Sequence, residues 1–198
     1  MKGRRRAREM ALQALYELDQ STHTVDWVVA GRIVDLYEGA ARATLDPADL
    51  PLALSLVRRY AASGLEAIDI ADAARELAVD ANRVADVLAP LRGLRKQADY
   101  GAAVIRGVVG HRERLDQAIR QIAPEWPVDQ MAPIDRNVLR IALWEIGLGE
   151  VPLRVAINEA VELARRYSGE GARRMVNGAL GAFVNAGLRL DITAAPGA

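Results

Sequence analysis

Residues 133–146 read PIDRNVLRIALWEI and contain the strongest apolar pattern in the sequence. Its apolar side chains, which include Val138 and Leu143, form a stripe broad enough for a helix that is buried on most sides. We interpret this stretch as the central helix of the protein. Three residues that disfavour helix end it: Gly147, Gly149 and Pro152.

Further helices are predicted on both sides of this central helix. Apolar residues recur at helical spacing in six other segments, and no segment shows the alternation of a strand. In the segment that Pro124 stops, Arg112 lies four residues before Asp116 and is expected to pair with it. The sequence therefore predicts an all-α fold. The six segments are residues 4–20, 52–60, 68–88, 99–122, 155–167 and 173–187.

Two pairs of glycines lie inside predicted helices. Gly107 and Gly110 have the GxxG spacing with which one class of module clamps a nucleic-acid backbone, but the strands that flank such a loop are not predicted here. We therefore interpret these two glycines, together with Gly178 and Gly181, as positions where a missing side chain permits close helix packing.

The composition argues against several classes of function. The 198 residues include 26 basic and 26 acidic side chains, so a site for a polyanion must be local. Cysteine is absent and the two histidines, His23 and His111, are far apart, so we expect no disulfide, metal site or cofactor. No serine lies in a nucleophile-elbow sequence, and we expect no catalytic residues. Without a signal-peptide core or a long apolar run, the chain is predicted to be cytoplasmic, with no membrane partner.

A first basic cluster occupies the start of the chain. Arginine binds phosphate through two parallel hydrogen bonds, and a helix would project Arg4 and Arg8, or Arg5 and Arg8, to one side. Tyr16 shares an arc with part of this cluster, where its ring either stacks an unpaired base or packs at the helix edge with its hydroxyl in water. A solvated terminus is the alternative for the cluster itself. Its members are Lys2, Arg4, Arg5, Arg6 and Arg8.

A second basic cluster surrounds the turn at residues 167–171, where one predicted helix ends and the next begins. Exposed amides at the helix start would hold a phosphate, and Tyr167 offers a stacking surface. The alternative is a solvated turn in which Arg166 pairs with Glu162. We hypothesise that both clusters form one patch that grips RNA. The second cluster comprises Arg165, Arg166, Arg173 and Arg174.

Three blocks resemble the NusB family of bacterial transcription antitermination factors: RRRAREMALQALYELD at 4–19, PIDRNVLRIALWEI at 133–146 and VAINEAVELARRYSGEGARRMVNGAL at 155–180. The resemblance implies two packed helical subdomains, with residues 1–24 and 97–190 as an RNA-binding domain. It also implies binding to the boxA element of ribosomal RNA leader transcripts, a heterodimer with the ribosomal protein NusE, and a link to the transcription elongation complex. Some relatives self-associate, so a homodimer is the alternative assembly.

The resemblance also assigns individual residues to RNA. Two positions depart from the family pattern: Met175 stands where an aromatic residue is usual, which would weaken a stacking or packing contact, and Gly171 stands where an acidic or polar residue is usual. The RNA-facing positions that match the family are Arg4, Arg5, Arg6, Arg8, Tyr16, Asp135, Arg136, Tyr167 and Arg174.

Residues 25–96 are interpreted as family helices plus a helical insertion, because relatives need fewer residues there. Residues 25–95 contain 11 acidic and 8 basic side chains, a balance that argues against an additional RNA grip. The tail at residues 191–198 is expected to be frayed. Two other functions stay open: an RNA-binding accessory domain like those of RNA cytosine methyltransferases, and a helical adaptor that binds only proteins.

Overall fold

A computed structural model describes residues 2–192 of the chain, with only the backbone described for Lys2. Between these limits there are α-helices and two short 3-10 helices, at Leu65–Ala67 and Val128–Gln130, but no strand, which confirms the all-α prediction. The α-helices are α1 (Lys2–Gln20), α2 (Val25–Thr44), α3 (Leu50–Tyr60), α4 (Ile70–Leu77), α5 (Ala81–Arg92), α6 (Arg95–Gly110), α7 (Arg112–Ile122), α8 (Pro133–Leu148), α9 (Leu153–Tyr167) and α10 (Glu170–Asn185).

The helices form two compact units. The first unit contains the chain up to Met10 and His23–Ala102. In it α2 packs against α3 and α5, and α4 packs against α5. The core of this unit includes the fully buried side chains of Tyr37, Leu56 and Leu88. Burial of such large apolar side chains is the main force that holds short helices together.

The second unit contains Ala11–Thr22 and the chain from Ala103 onward. Its centre is α8, which contacts α7, α9 and α10 and is buried without a break from Asn137 to Glu145. The predicted central helix is therefore confirmed. Both α1 and α6 give their first part to one unit and the remainder to the other, so neither unit is a single continuous segment.

Two helices that the periodicity predicts as continuous are each broken in two. The segment 99–122 is interrupted at His111, whose φ of −112° and ψ of 16° lie outside the helical region. The segment 68–88 breaks at Ala78, which takes a left-handed conformation with φ 52°. Asp80 then caps α5 by accepting a hydrogen bond from the amide of Asn82 at 2.9 Å. Periodicity missed both breaks, although an aspartate in an N-cap position is a sequence signal for the second.

The end of the described chain is packed. Ile192 is buried, and Arg114 donates to the backbone oxygen of Asp191 at 3.4 Å. The expected fraying therefore does not apply to these two residues, whereas the rest of the predicted frayed tail, residues 193–198, lies outside the described residues. Among the helices of residues 2–192, none combines the length and apolar character that a membrane crossing requires.

Candidate nucleic-acid interface

Arginines at the start of α1 present positive charge to solvent. Arg4, Arg5 and Arg6 are all exposed on the first turns of this helix. The guanidinium of Arg4 lies over the ring of Tyr100, 5.0 Å from its centroid, within the range of a cation–π contact. Because Tyr100 belongs to α6, sequence reasoning did not connect it with this cluster. The contact fixes one guanidinium while the cluster stays accessible to an anion.

Arg8 lies one turn further along and differs from these three arginines. Its guanidinium is 5.9 Å from the centroid of Tyr100, so the prediction that Arg4 and Arg8 project to one side is correct. Only 2% of Arg8 is exposed, however, so an RNA phosphate could not reach it in this arrangement. The burial of Arg8 favours a packing role, and its RNA-facing role stays a prediction. The side chain of Lys2 lies outside the described part of the chain.

Tyr16 and the turn between α9 and α10, which are also predicted to face RNA, belong to the second unit. Tyr16 is 45% exposed on α1, which leaves its ring accessible for stacking. In the turn, Gly169 has φ 98°, a conformation that glycine adopts without strain. The guanidinium of Arg166 lies 5.5 Å from the centroid of Tyr167, and Arg174 is exposed on the first turns of α10.

Two arginines of the turn pair with neighbouring carboxylates. Arg165 donates to Glu162 at 2.8 Å, and Arg173 donates to Glu170 at 3.0 Å. Pairs of this kind on a helix surface contribute little to stability and exchange readily with another anion. The second cluster therefore keeps its positive side chains at the surface. Its union with the first cluster into one patch stays a prediction, because the arginine-rich start belongs to the first unit and this turn to the second.

A network of charged side chains occupies the second unit, largely buried except for the half-exposed Arg112, and it was not predicted from the sequence. We call it the Asp19 cluster, and its centre is the Asp19 carboxylate, which is 4% exposed. This carboxylate accepts hydrogen bonds from Arg112, from Arg136 at 3.0 Å and from Asn137 at 3.0 Å. Its other members are Arg140, 3.7 Å from Asp19, and Asp116, whose two oxygens each accept from Arg140 at 2.8 Å.

The electrostatics of the Asp19 cluster favour an ionised carboxylate. Burial alone would raise the pKa of Asp19. The hydrogen bonds from Arg136 and Asn137 and the charges of Arg112 and Arg136 lower the pKa by more than burial raises it, so the pKa lies below the ordinary value. A buried carboxylate with several charge-assisted hydrogen bonds is a structural element, since its partners are held in one geometry. The cluster therefore connects α1, α7 and α8 within this unit.

The Asp19 cluster changes two predictions. Arg136, assigned to RNA by resemblance, is 16% exposed, pairs with Asp19 and donates to the backbone oxygen of Val128 at 3.3 Å, so it has structural contacts that were not predicted, and its RNA-facing role stays a prediction. Arg112 reaches Asp19, and Asp116 accepts from Arg140, in place of the expected pair between Arg112 and Asp116. For Asp135, which is half-buried at the start of α8, an RNA-facing role stays a prediction.

The sequence of this chain is similar to that of one protein family. The family model described as NusB family matches residues 55–185. The transcription antitermination protein NusB of Herpetosiphon aurantiacus is 33% identical over 186 residues, which cover 92% of this chain and 90% of that protein. An alignment that covers 92% of the chain must include most of residues 25–95, so that relative shares much of the stretch interpreted above as containing an insertion.

Two further similarities are partial or confined to the fold. The NusB of Anaeromyxobacter dehalogenans strain 2CP-1 is 43% identical over 86 residues, and the match spans 43% of this chain and 61% of that relative's length. A structure of T. maritima NusB superimposes on this protein with a TM-score of 0.52 and 22% sequence identity. The aligned residues cover 92% of this chain and 90% of the T. maritima chain. At that identity the structural likeness concerns the all-helical fold.

Proposed function

The chain belongs to the NusB family, and from this premise we propose that it is a transcription antitermination factor that binds boxA-type single-stranded leader RNA. We propose further that it binds as a heterodimer with the ribosomal protein NusE and acts in the cytoplasm, within the transcription elongation complex. In this role the protein works by binding, without catalysing a reaction.

The observation that carries the proposal is the group of three exposed arginines at the start of α1. A protein of zero net charge has no general attraction for RNA, so three accessible guanidinium groups within three consecutive residues create a local site for phosphates. Single-stranded RNA also exposes bases that stack on aromatic rings. Tyr16 and Tyr167 would supply such rings, with Arg166 and Arg174 as further phosphate contacts.

A binding titration tests the RNA part of this proposal. A labelled boxA oligonucleotide should bind more tightly than a scrambled oligonucleotide of the same composition, as measured by fluorescence anisotropy. Arg6→Ala should weaken boxA binding about tenfold, in line with the loss of one charge-assisted contact. Arg75→Ala is the matched control, because Arg75 is also exposed and helical but lies in the acidic stretch. Equal affinity of the wild-type protein for both oligonucleotides would contradict boxA recognition.

A second experiment tests the proposed partner. Purified NusE should co-elute with this chain in gel filtration and should raise its affinity for the boxA oligonucleotide. Capture of NusE without any retention of RNA would instead favour the adaptor that binds only proteins. RNA binding that NusE leaves unchanged would remove the heterodimer from the proposal.

A further inference from the structure

A groove of about 320 Å³ in the second unit lies outside the residues assigned to RNA so far, apart from Arg174. Two segments line it. The segment that follows α7 contributes Pro124, Glu125 and Trp126, and α10 contributes Arg174, Met175 and Gly178. This volume is at the lower end of the range for small-ligand sites, which suits one flat group rather than a helix or an extended peptide.

The lining of this groove suits a flat aromatic ligand. Trp126 is 54% exposed, so a large ring that would normally be buried is instead accessible at the groove. Met175 adds a polarizable thioether, which makes favourable contacts with aromatic rings. On α10, a side chain built at Gly178 would meet no atom within 4 Å, so the helix leaves open space there. The groove therefore offers a stacking surface together with room for a second ring.

The charges at the groove distinguish a nucleotide from a simple anion. Arg174 brings one positive charge and Glu125 one negative charge, so the groove as a whole does not attract phosphate alone. A nucleotide combines an uncharged ring for Trp126 with a phosphate for Arg174. The Glu125 carboxylate can only accept hydrogen bonds when ionised, which favours a base with an exocyclic amino group, such as cytosine, over uracil.

We propose that this groove seats one unpaired base of the bound RNA, stacked on Trp126 and Met175, while Arg174 contacts an adjacent phosphate and Glu125 favours cytosine over uracil. This inference rests on the proposed RNA-binding function and adds a base-selective subsite to it. The groove thereby places Arg174 of the second basic cluster beside Trp126, a residue that belongs to neither cluster.

Tryptophan fluorescence provides a direct test on the full chain. Trp27→Phe leaves Trp126 and the buried Trp144 as the indoles, and titration of this variant with oligocytidine should quench its emission. Adding Trp126→Phe to this variant should abolish the quenching, because the ring that stacks with the base is then no longer an indole. No quenching of the Trp27→Phe protein at an RNA concentration where anisotropy shows saturation would overturn the proposal and leave RNA binding itself intact.

Affinity measurements give an independent readout. Trp126→Ala should bind oligocytidine about tenfold more weakly, whereas Trp27→Ala, which removes a ring of similar exposure (58%) in the first unit, should bind like the wild-type protein. Glu125→Gln should bring the affinities for oligocytidine and oligouridine together. If Glu125→Gln still prefers oligocytidine over oligouridine as the wild-type protein does, the role of Glu125 is overturned.

Quenching of tryptophan emission by NusE but not by RNA would reassign the groove to a protein. A wild-type chain that binds no RNA would overturn the proposed function and this subsite with it.

Discussion

Because of Asp19, the stability of the second unit is expected to change with pH in the acid range. Its pKa in the folded protein is lowered, whereas the pKa of an aspartate in the unfolded chain is about 3.9. The stabilisation from the ionised carboxylate is therefore complete above about pH 4 and is lost as the pH falls through the folded-state pKa. Asp19→Asn should lower the free energy of unfolding at neutral pH by about 3 kcal/mol, because it removes the charge that pairs with the largely buried Arg136 and lies 3.7 Å from the buried Arg140.

Denaturant titrations across the acid range check the Asp19 prediction. The variant should lose less stability than the wild-type protein between neutral pH and pH 3, since its residue 19 no longer titrates. Asp72→Asn is the control, because Asp72 forms an exposed pair with Arg75 and its loss should change the free energy of unfolding by less than about 1 kcal/mol. Equal effects of both substitutions would refute the structural role of the Asp19 cluster.

Tyr37 gives a second prediction, at alkaline pH. Burial, with a contribution from the charge of Glu66, raises the pKa of Tyr37 to about 12, above its value of about 10 in the unfolded chain. The folded protein therefore loses stability as the pH rises from 10 to 12, because the unfolded chain gives up the Tyr37 proton at a lower pH than the folded chain does. In the described chain its buried hydroxyl has no hydrogen-bond partner, so Tyr37→Phe should raise the free energy of unfolding at pH 7 by about 1 kcal/mol.

Thermal unfolding followed by circular dichroism tests this prediction. Tyr37→Phe should unfold at a higher temperature at pH 7 and should lose less stability between pH 10 and 12. Tyr16→Phe, at an exposed ring, should keep the alkaline loss of the wild-type protein. Destabilisation by Tyr37→Phe at pH 7 would mean that the hydroxyl has a favourable contact in solution.

Residue-level sequence reasoning identified the arginine cluster but not the accessibility of each member. Arg4 and Arg8 are one helical turn apart, yet one is exposed and the other is buried. Both guanidinium groups lie near the ring of Tyr100 on α6, which is far away in the sequence. The ion pair of Arg136 was not predicted for the same reason, because its partner Asp19 is on a distant helix. Local patterns carry no information on such long-range pairs.

At the scale of helices, glycine at position 107 permits α6 to approach α8. A side chain built at Gly107 would overlap the indole of Trp144, which is buried. Gly107→Ala should therefore lower the free energy of unfolding by about 1–3 kcal/mol, although alanine favours helix by about 1 kcal/mol over glycine. Gly181→Ala in α10 should have the opposite sign, because no atom lies within 4 Å of the position its side chain would occupy. Urea titration of the two variants measures both values, and stabilisation by Gly107→Ala would contradict the observed packing.

These glycines show which features of the helices the sequence could predict. Close packing was expected at Gly107, Gly110, Gly178 and Gly181. The structure confirms it at Gly107, whereas the space beside Gly178 and Gly181 is open, and close packing at Gly110 stays a prediction. Composition alone cannot separate these cases, because a glycine that permits contact and a glycine beside solvent look the same in a helical pattern. Likewise, the apolar stripe continues through His111, where the helix itself breaks.

Across the complete chain, acidic and basic side chains are equal in number, but they are distributed unevenly along the sequence. The acidic stretch at residues 25–95 lies within the first unit, which also contains the exposed arginines of α1. Sequence alone could predict this division, because net charge per segment does not depend on folding. It could not predict the limits of the units, since α1 and α6 each contribute to both.

A pair of charge-matched variants tests whether RNA responds to the position of charge or to its total. One variant replaces Arg4, Arg5 and Arg6 with alanine, and the other replaces Arg58, Arg75 and Arg83, three exposed arginines of the acidic stretch. Both triple variants have the same net charge. For single-stranded RNA, each lost phosphate contact should reduce the slope of log affinity against log salt by about 0.7, so the first variant should lose about 2 and the second almost nothing. Equal slopes for the two variants would show that RNA responds to overall charge, and the local phosphate site at the start of α1 would have to be abandoned.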